Sequence, residues 1–276
     1  MWRITCQPRK LQTLLSLLCL IIVMGFFTRS FFPSFEVTSY PYSRPSLGPI
    51  ALLSAISSLK GKYDLEVLKL SLSNKIAYSK HHNYDFFVCN CTVDENWHAM
   101  WGKVLALEAI LAKGYRWVIF LDLDLLITNF DTRLEEFFLE ESFDIIIGVD
   151  CNGINDGVVM FRGTESNIQL LRSLWTFTEY SNEYYHEQTA LWRTISRNRT
   201  IAKRTLLIPP GILQSYQDDS CGSKFGGEDF IIHFPGDFTS RKLANEMKKY
   251  MNFATFKDTI EIPKIEGKGC NCKLQE

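Results

Sequence analysis

Apolar and polar positions along this chain follow two periods, and each period predicts its own elements. Continuous apolar runs at Pro49 to Ser54, Tyr84 to Cys89, Trp117 to Leu121, Asp144 to Val149, Gly157 to Phe161 and Phe230 to Phe234 read as strands buried in a sheet. Between them, apolar residues recur at helical spacing. Leu68, Leu72 and Ile76 predict a helix over Val67 to His82, with Asn83 as a left-handed C-cap. Met100, Val104, Leu107 and Leu111 predict a second over Trp97 to Ala112, ended by Gly114. Ser166 with Gln169 makes a capping-box start for a helix carrying Ile168, Leu171 and Trp175, and another helix begins near Tyr185. Strand–helix–strand alternation of this kind predicts an α/β sheet domain.

The N-terminus breaks the pattern. Leu11 to Phe27 is an uncharged apolar stretch preceded by Arg3, Arg9 and Lys10. Its length of about 17 residues is near the lower limit for a membrane-spanning helix. The basic flank predicts a cytoplasmic tail over 1–10, a transmembrane signal anchor over 11–27 and a luminal remainder. A cleaved signal peptide has a similar layout, but small residues suited to cleavage are missing after the apolar core, where Phe26, Phe27, Phe31 and Phe32 stand. Residues 28–48, rich in Pro, Ser and Tyr, read as an extended stem, and 49–276 as one luminal domain.

Composition narrows the class. Hydrophobic residues at 46% against 22% charged allow a sizeable core, and a net charge of -1 offers no electrostatic footprint for nucleic acid. Oligomeric state is not legible. Of 8 cysteines, Cys6 and Cys19 fall before or inside the anchor. Cys89, Cys91, Cys151, Cys221, Cys270 and Cys272 form an even set suited to luminal disulfides. Two Cys-Asn-Cys pairs, at 89–91 and 270–272, could in principle supply four zinc ligands, but their spacing is too tight for the usual zinc pattern. Asn90-Cys91-Thr92 and Asn198-Arg199-Thr200 are glycosylation sequons, as a luminal address allows.

The chemistry concentrates where the strand Trp117 to Leu121 ends in Asp122-Leu123-Asp124. Open α/β sheets bind ligands beyond the carboxyl ends of their strands. Two carboxylates one residue apart repel unless a cation lies between them, which suits a hard divalent metal bridging to phosphate. The alternative is that these acids cap the next turn. His233, closing Ile231-Ile232-His233-Phe234-Pro235-Gly236, is either a third metal ligand or a satisfied core histidine, and Gly236 beyond it permits a close backbone approach. Asn155-Asp156-Gly157 reads as a tight turn with Gly supplying positive φ, or as an amide presented to a sugar hydroxyl. Glu187 and Gln188 either complement the helix dipole or face developing positive charge on a sugar ring. No Gly-x-Gly-x-x-Gly or P-loop signature accompanies the early strands, so phosphate handling must lean on metal.

Six segments in order resemble the family of fungal Golgi galactosyl- and mannosyltransferases and plant xyloglucan xylosyltransferases. They are Asn74-Lys75-Ile76-Ala77-Tyr78, Trp101-Gly102-Lys103, Leu121-Asp122-Leu123-Asp124, Asn155-Asp156-Gly157 through Arg162, Glu187-Gln188-Thr189-Ala190-Leu191, and His233-Phe234-Pro235-Gly236, covering roughly 48 to 240. The resemblance implies a single GT-A, Rossmann-like nucleotide-sugar domain and a type II Golgi membrane enzyme. Such an enzyme moves a hexosyl or pentosyl unit from a UDP- or GDP-linked donor to a glycan acceptor with retention of configuration. It implies Mn2+ or Mg2+ held by Asp122, Asp124 and His233. Asn155, Gly157, Glu187 and Gln188 would surround the transferred sugar, Gly236 would adjoin the diphosphate, and Lys103 and Tyr78 would lie nearer the nucleotide. Ser79, Asp156, His186 and Gln214 depart from the family's pattern and bear on donor and acceptor choice. Two other classes share some features. A haloacid-dehalogenase-like phosphatase also places Asp-x-Asp after an apolar strand, but wants a Gly-Thr-like pair where Leu125-Leu126 stands. A membrane-tethered glycan-binding scaffold of the same fold would have lost turnover.

Overall fold

A computed structural model describes residues 49–56, 64–138, 141–219, 222–236, 239–254 and 268–273, the last in backbone only. The expected anchor, tail and stem, and Cys221, lie outside the described residues. Among the described residues no helix is long and apolar enough to cross a membrane.

Two early strands and two helices follow the apolar pattern closely. β1 (Ile50–Ala55) leads to α1 (Leu65–His82), whose N-cap Asp64 accepts from the amides of Glu66 and Val67. Asn83 ends α1 in the left-handed conformation, φ 58° and ψ 43°. β2 (Asp85–Thr92) runs three residues beyond its apolar core and takes in the first Cys-Asn-Cys. A single 3-10 turn at Ala99–Trp101 then opens into α2 (Gly102–Leu111).

β3 (Trp117–Leu121) is followed at once by β4 (Leu125–Ile127), with β5 (Ile145–Asp150) and β6 (Gly153–Arg162) later. α3 (Glu165–Leu174), α4 (His186–Arg197), α5 (Arg199–Lys203), β7 (Thr205–Ile208), β8 (Ile231–His233), α6 (Ser240–Met251) and β9 (Lys268–Lys273) complete the described elements. The expected capping box of α3 gives way to Thr164, whose hydroxyl accepts from Asn167 N two residues earlier than Ser166 would allow. Apolar periodicity marks the helix body but not which of two nearby hydroxyl residues turns the chain.

The main sheet has the order β7-β5-β6-β3-β1-β2-β9. β1 pairs parallel with β2 and β3, whereas β6 runs antiparallel to both β3 and β5. The sheet is therefore mixed. The continuous apolar runs report burial on both faces, and burial does not depend on strand direction. One core packs α2, α3 and α4 on one face, with Trp101, Leu107, Val118, Phe120, Leu171 and Leu191 among its buried residues. A second core on the other face includes Leu72, Ile119, Leu121, Leu125, Phe130 and Ile231.

β4 and β8 form a separate antiparallel pair, Leu125 opposite His233. α1 clamps this pair with polar groups. The Asn74 side chain donates to the Ile127 carbonyl and accepts from the Ile127 amide, both at 2.8 Å. Lys75, wholly buried, donates to the Leu125 carbonyl at 3.1 Å. At the far edge, β9 pairs parallel with β2 so that Cys270 stands opposite Cys89 and Cys272 opposite Cys91. The two Cys-Asn-Cys segments are thus adjacent in register, although they are nearly the length of the domain apart in sequence.

Candidate functional site

The site is assembled at the end of β3. Five buried residues carry that strand through the centre of the sheet and release the chain at Asp122. The Asp122 amide donates to the Gly157 carbonyl at 2.8 Å, which fixes the exit against β6. Two residues on, the Asp124 carbonyl accepts from the Phe234 amide at 2.8 Å, and β4 pairs with β8. These bonds bring Asp122, Asp124 and His233 together, with one ligating atom from each within 4.8 Å of the others.

Their chemistry fits a divalent cation. Two carboxylates and an imidazole suit a first-row metal that accepts mixed oxygen and nitrogen ligands. His233 Nε2 is 3.5 Å from Asp124 Oδ1, and His233 Nδ1 is buried with no hydrogen-bond partner. A buried ring nitrogen left unpaired is costly unless a ligand uses it.

Gly157 explains why the imidazole can lie there. A Cβ on Gly157 would stand 2.3 Å from His233 Cε1 and 3.0 Å from Asn155 Oδ1. The expected tight turn at Asn155-Asp156-Gly157 is absent. These residues lie inside β6, beside a bulge at Ile147/Gly148, and Gly157 is not among the positive-φ glycines. The glycine meets a steric demand rather than a backbone one. Gly236 is the converse, with φ 111° and nothing within 4 Å of an added Cβ.

Beside the trio lies a second cluster, built around Lys103 at the start of α2. Its ammonium is 2.8 Å from Asp156 Oδ1, 3.4 Å from Asp122 Oδ1 and 3.4 Å from Glu187 Oε1, and it also donates to the Asp156 carbonyl at 3.2 Å. Burial alone would lower the lysine, but the carboxylates of Asp122, Asp156 and Glu187 raise it above its usual value. Three acids around one ammonium leave excess negative charge. Burial pushes Asp122 up to about 6 and Glu187 up to about 8, against the pull of Lys103 in each case. Glu187 Oε2 is buried without a hydrogen-bond partner. Gln188, next to it, accepts from the Asp156 amide at 3.0 Å. Lys75, on the far side of β4, is lowered to about 7 by burial, with Asp124 and Asp122 opposing.

His186, which precedes Glu187, has φ 40°, rare for a residue other than glycine, and its ring stacks on His98 with centroids 3.8 Å apart. Burial and then His98 lower His186 to about 4.

The sequence-predicted residues thus fall into groups. Asp122, Asp124, His233, Lys103, Asn155, Gly157, Glu187 and Gln188 share one connected set of contacts. Tyr78 makes its contacts elsewhere: it is fully buried, its hydroxyl donates to the Thr132 carbonyl at 2.7 Å, and its ring packs on His82, Tyr84, Phe130 and Phe230. Sequence reasoning passed over Asp150 and Tyr216, which hold Asn155. Asp150 carried a usable signal, since it ends an apolar strand as Asp122 does. Tyr216 carried none.

The sequence pattern of the galactosyl transferase GMA12/MNN10 family matches residues 50–144 and 140–243. The chain belongs to this family. It is a glycosyltransferase. A probable alpha-1,2-galactosyltransferase of Schizosaccharomyces pombe, gmh1, is 24% identical over 247 residues, spanning 75% of this chain and 74% of the relative. The probable alpha-1,6-mannosyltransferase MNN10 of Saccharomyces cerevisiae is 21% identical over 239 residues, 69% of this chain and 61% of that one. Among solved structures, a glycosyltransferase involved in the glycosylation of the major capsid of PBCV-1 superposes with a TM-score of 0.57 at 14% identity. That match covers 73% of this chain and 99% of the other. The mixed α/β fold is similar to the GT-A nucleotide-sugar transferases.

Proposed function

We propose that this chain is a metal-assisted, retaining glycosyltransferase that takes a hexosyl or pentosyl unit from a UDP- or GDP-linked donor to a glycan acceptor. The observation that carries the reading is the convergence of Asp122, Asp124 and His233 at the end of a central strand, in a member of this family. Those three residues would hold Mn2+ or Mg2+. A cation bound there supplies Lewis acidity toward a departing diphosphate.

The chain's own residues do the rest. Lys103 holds Asp122, Asp156 and Glu187 around one ammonium, so the carboxylates stand ready without a bound ligand. Burial biases Glu187 towards its protonated form, against the pull of the Lys103 ammonium 3.4 Å away. In its ionised form Glu187 would stabilise positive charge growing on the sugar ring. Gln188 is fixed through its Oε1 by the Asp156 amide, which leaves its Nε2 to donate to a sugar oxygen. Asn155 and Gly157 would lie against the transferred sugar, and Gly236, with its positive φ, would adjoin the diphosphate.

A Golgi lumen is the proposed address, reached through an N-terminal signal anchor in type II topology. The apolar stretch at 11–27 with its basic flank supports this, as do the buried Cys89 and Cys91 set in register with Cys270 and Cys272. The four are suited to cross-strand disulfides in an oxidising compartment. Neither rival class survives equally well. Membership of a transferase family leaves the phosphatase without support, and an intact Asp-Asp-His set with its Lys103 cluster speaks against a scaffold that lost turnover.

Donor turnover by the purified protein, with Mn2+ and with UDP- and GDP-sugars, tests the reading. Asp122→Asn with Asp124→Asn is expected to lower turnover by at least about 100-fold, the scale of losing one electrostatic stabiliser of a transition state. EDTA is expected to do the same, and the anomeric proton of the product is expected to match the donor's configuration by NMR. Full activity in EDTA would remove the metal from the mechanism, and wild-type turnover by the double variant would remove the site.

A further inference from the structure

A cavity of about 430 Å³ opens at the opposite end of the sheet from the metal trio. Ile145, which begins β5, stands opposite Phe161, and Phe161 opposite Val118 near the start of β3, whereas the trio gathers where β3 ends. Ile145 and Leu170, both buried, give the cavity an apolar floor together with Ile201. One wall is α3, through Ser166, Gln169 and Ser173. The other is the chain entering α5, through Asn198 and Thr200. The volume falls within the roughly 300–1,000 Å³ typical of small-ligand pockets.

The lining is polar, and its one charge is already matched. Arg204 donates from Nε to Asp144 Oδ2 at 2.6 Å and forms an ion pair with the same carboxylate. Its other nitrogens go to Ser166 Oγ at 2.8 Å and Asn167 Oδ1 at 3.4 Å, so an anion finds no unmatched cation here. What remains is hydroxyl and amide. Ser166 accepts from Arg204 and keeps its own proton to donate. Gln169, whose nitrogen is held by Glu165 at 2.6 Å, keeps its carbonyl to accept. Donors and acceptors above an apolar floor suit a neutral ring with hydroxyls at its edge and C–H bonds on its faces, which describes a sugar.

Asn198 is exposed at the rim, in the sequon Asn198-Arg199-Thr200. Its Oδ1 accepts from the amides of Thr200 and Ile201 at 3.0 and 3.2 Å, which caps α5. Nδ2, the atom to which a glycan is joined, is left uncommitted, and the modification leaves Oδ1 an acceptor, so the cap survives it. We propose that Asn198 carries an N-linked glycan whose first sugar residue is seated in this cavity, between α3 and the entry to α5; this rests on the luminal address proposed above. In the joining step the Asn198 nitrogen bonds to C1 of a sugar carried on a polyprenyl diphosphate. The C1–O bond breaks, the lipid diphosphate leaves, and the amide gives up one proton to base. The lipid-linked donor and the transferase that uses it are supplied by the secretory lumen, not by this chain.

The full chain with Asn90→Gln, which leaves Asn198-Arg199-Thr200 as the one sequon in the sequence, is made in a secretory eukaryotic host. Peptide-N-glycosidase is expected to shift its mobility by one glycan. Thr200→Ala is expected to abolish that shift and Thr200→Ser, which keeps the sequon, to retain it. Trimming by an endoglycosidase to a single sugar residue reads the seating. The trimmed form is expected to melt with the untrimmed protein, and the fully deglycosylated form about 2–4 °C lower. Full removal leaves an aspartate at 198, as good an N-cap as asparagine, so the loss reports the sugar. Gln169→Ala with Ser173→Ala, both on the exposed wall, is expected to erase most of that difference, because the sugar has lost its partners. A chain protected from protease in intact microsomes yet unshifted by the glycosidase overturns the modification. Equal melting of the trimmed and fully deglycosylated forms overturns the seating. Digestion of the chain from 49 onward in intact microsomes overturns the luminal address instead, and this assignment with it.

Discussion

Two sets of buried polar side chains lie close to the Asp122–Asp124 segment, and they are used in opposite ways. On α1, Asn74 and Lys75 spend their polar atoms on the backbone of β4, at 2.8 to 3.1 Å. On other elements around the site, His233 Nδ1 on β8, Glu187 Oε2 on α4 and Gln214 Oε1 are likewise buried and have no hydrogen-bond partner. A buried polar atom left unpaired costs roughly 1–3 kcal/mol. A fold tolerates that where a ligand will supply the partner. The first set is an anchor for the site, and the second faces into it.

The contrast can be broken at Lys103, which belongs to the ligand side yet is paired three times. Lys103→Met removes the one cation among Asp122, Asp156 and Glu187, and is expected to destabilise by about 3–5 kcal/mol, as when one partner of a buried ion group is lost. Chemical denaturation reads this, and added Mn2+ should recover part of the loss if the metal trio binds it. A stability change under about 1 kcal/mol would mean that the acids are already protonated and that the cluster holds no charge to compensate.

Asn74→Ala tests the anchor. It strands the Ile127 amide and carbonyl, each at roughly 1–3 kcal/mol. Because β4 carries Asp124 towards His233, Mn2+ affinity by isothermal titration should fall along with Tm. A drop in Tm with unchanged affinity would separate the clamp from the site.

Gly157→Ala sharpens the boundary from within the sheet. Its methyl meets the His233 ring, so either the imidazole moves or the strand does, at a cost of about 1–3 kcal/mol for overpacking. The expected signature is a larger loss in metal affinity than in Tm, and equal losses would point to displacement of the strand instead.

The smallest effect is a slope. Glu187, at about 8 in the folded protein against an ordinary value near 4.5, holds a proton that the unfolded chain has released across that window. Its contribution to stability is therefore fully present below about pH 4.5 and is lost as pH rises towards 8. Glu187→Gln in metal-free buffer should flatten the fall of Tm between those limits, whereas an unaltered slope would place the titration on another group.

Several features of the site were legible in the residue pattern. The strand Trp117 to Leu121 could be seen from its apolar run, and two acids at its end were enough to suggest a cation. His233 at the close of another apolar run was an open choice between ligand and core, and the pairing of Leu125 with His233 brings it to the acids. Tyr78 shows the opposite limit. Its position in a motif implied the nucleotide, yet the ring is packed among aromatic residues and the hydroxyl is spent on Thr132. A motif reports that a residue type is needed, and the partner that needs it is visible only in three dimensions.

By itself, the sequence determined the kind and place of most elements, the apolar cores and the family, because burial and helical spacing are written residue by residue. Tertiary structure alone decided that β6 runs antiparallel, that Gly157 clears space for an imidazole, that Asn74 and Lys75 brace β4, and that Cys-Asn-Cys lies beside Cys-Asn-Cys. Each of these depends on which distant backbone arrives alongside. Periodicity reports how deeply a residue is buried, whereas hydrogen-bond direction, register and close approach are properties of pairs of segments.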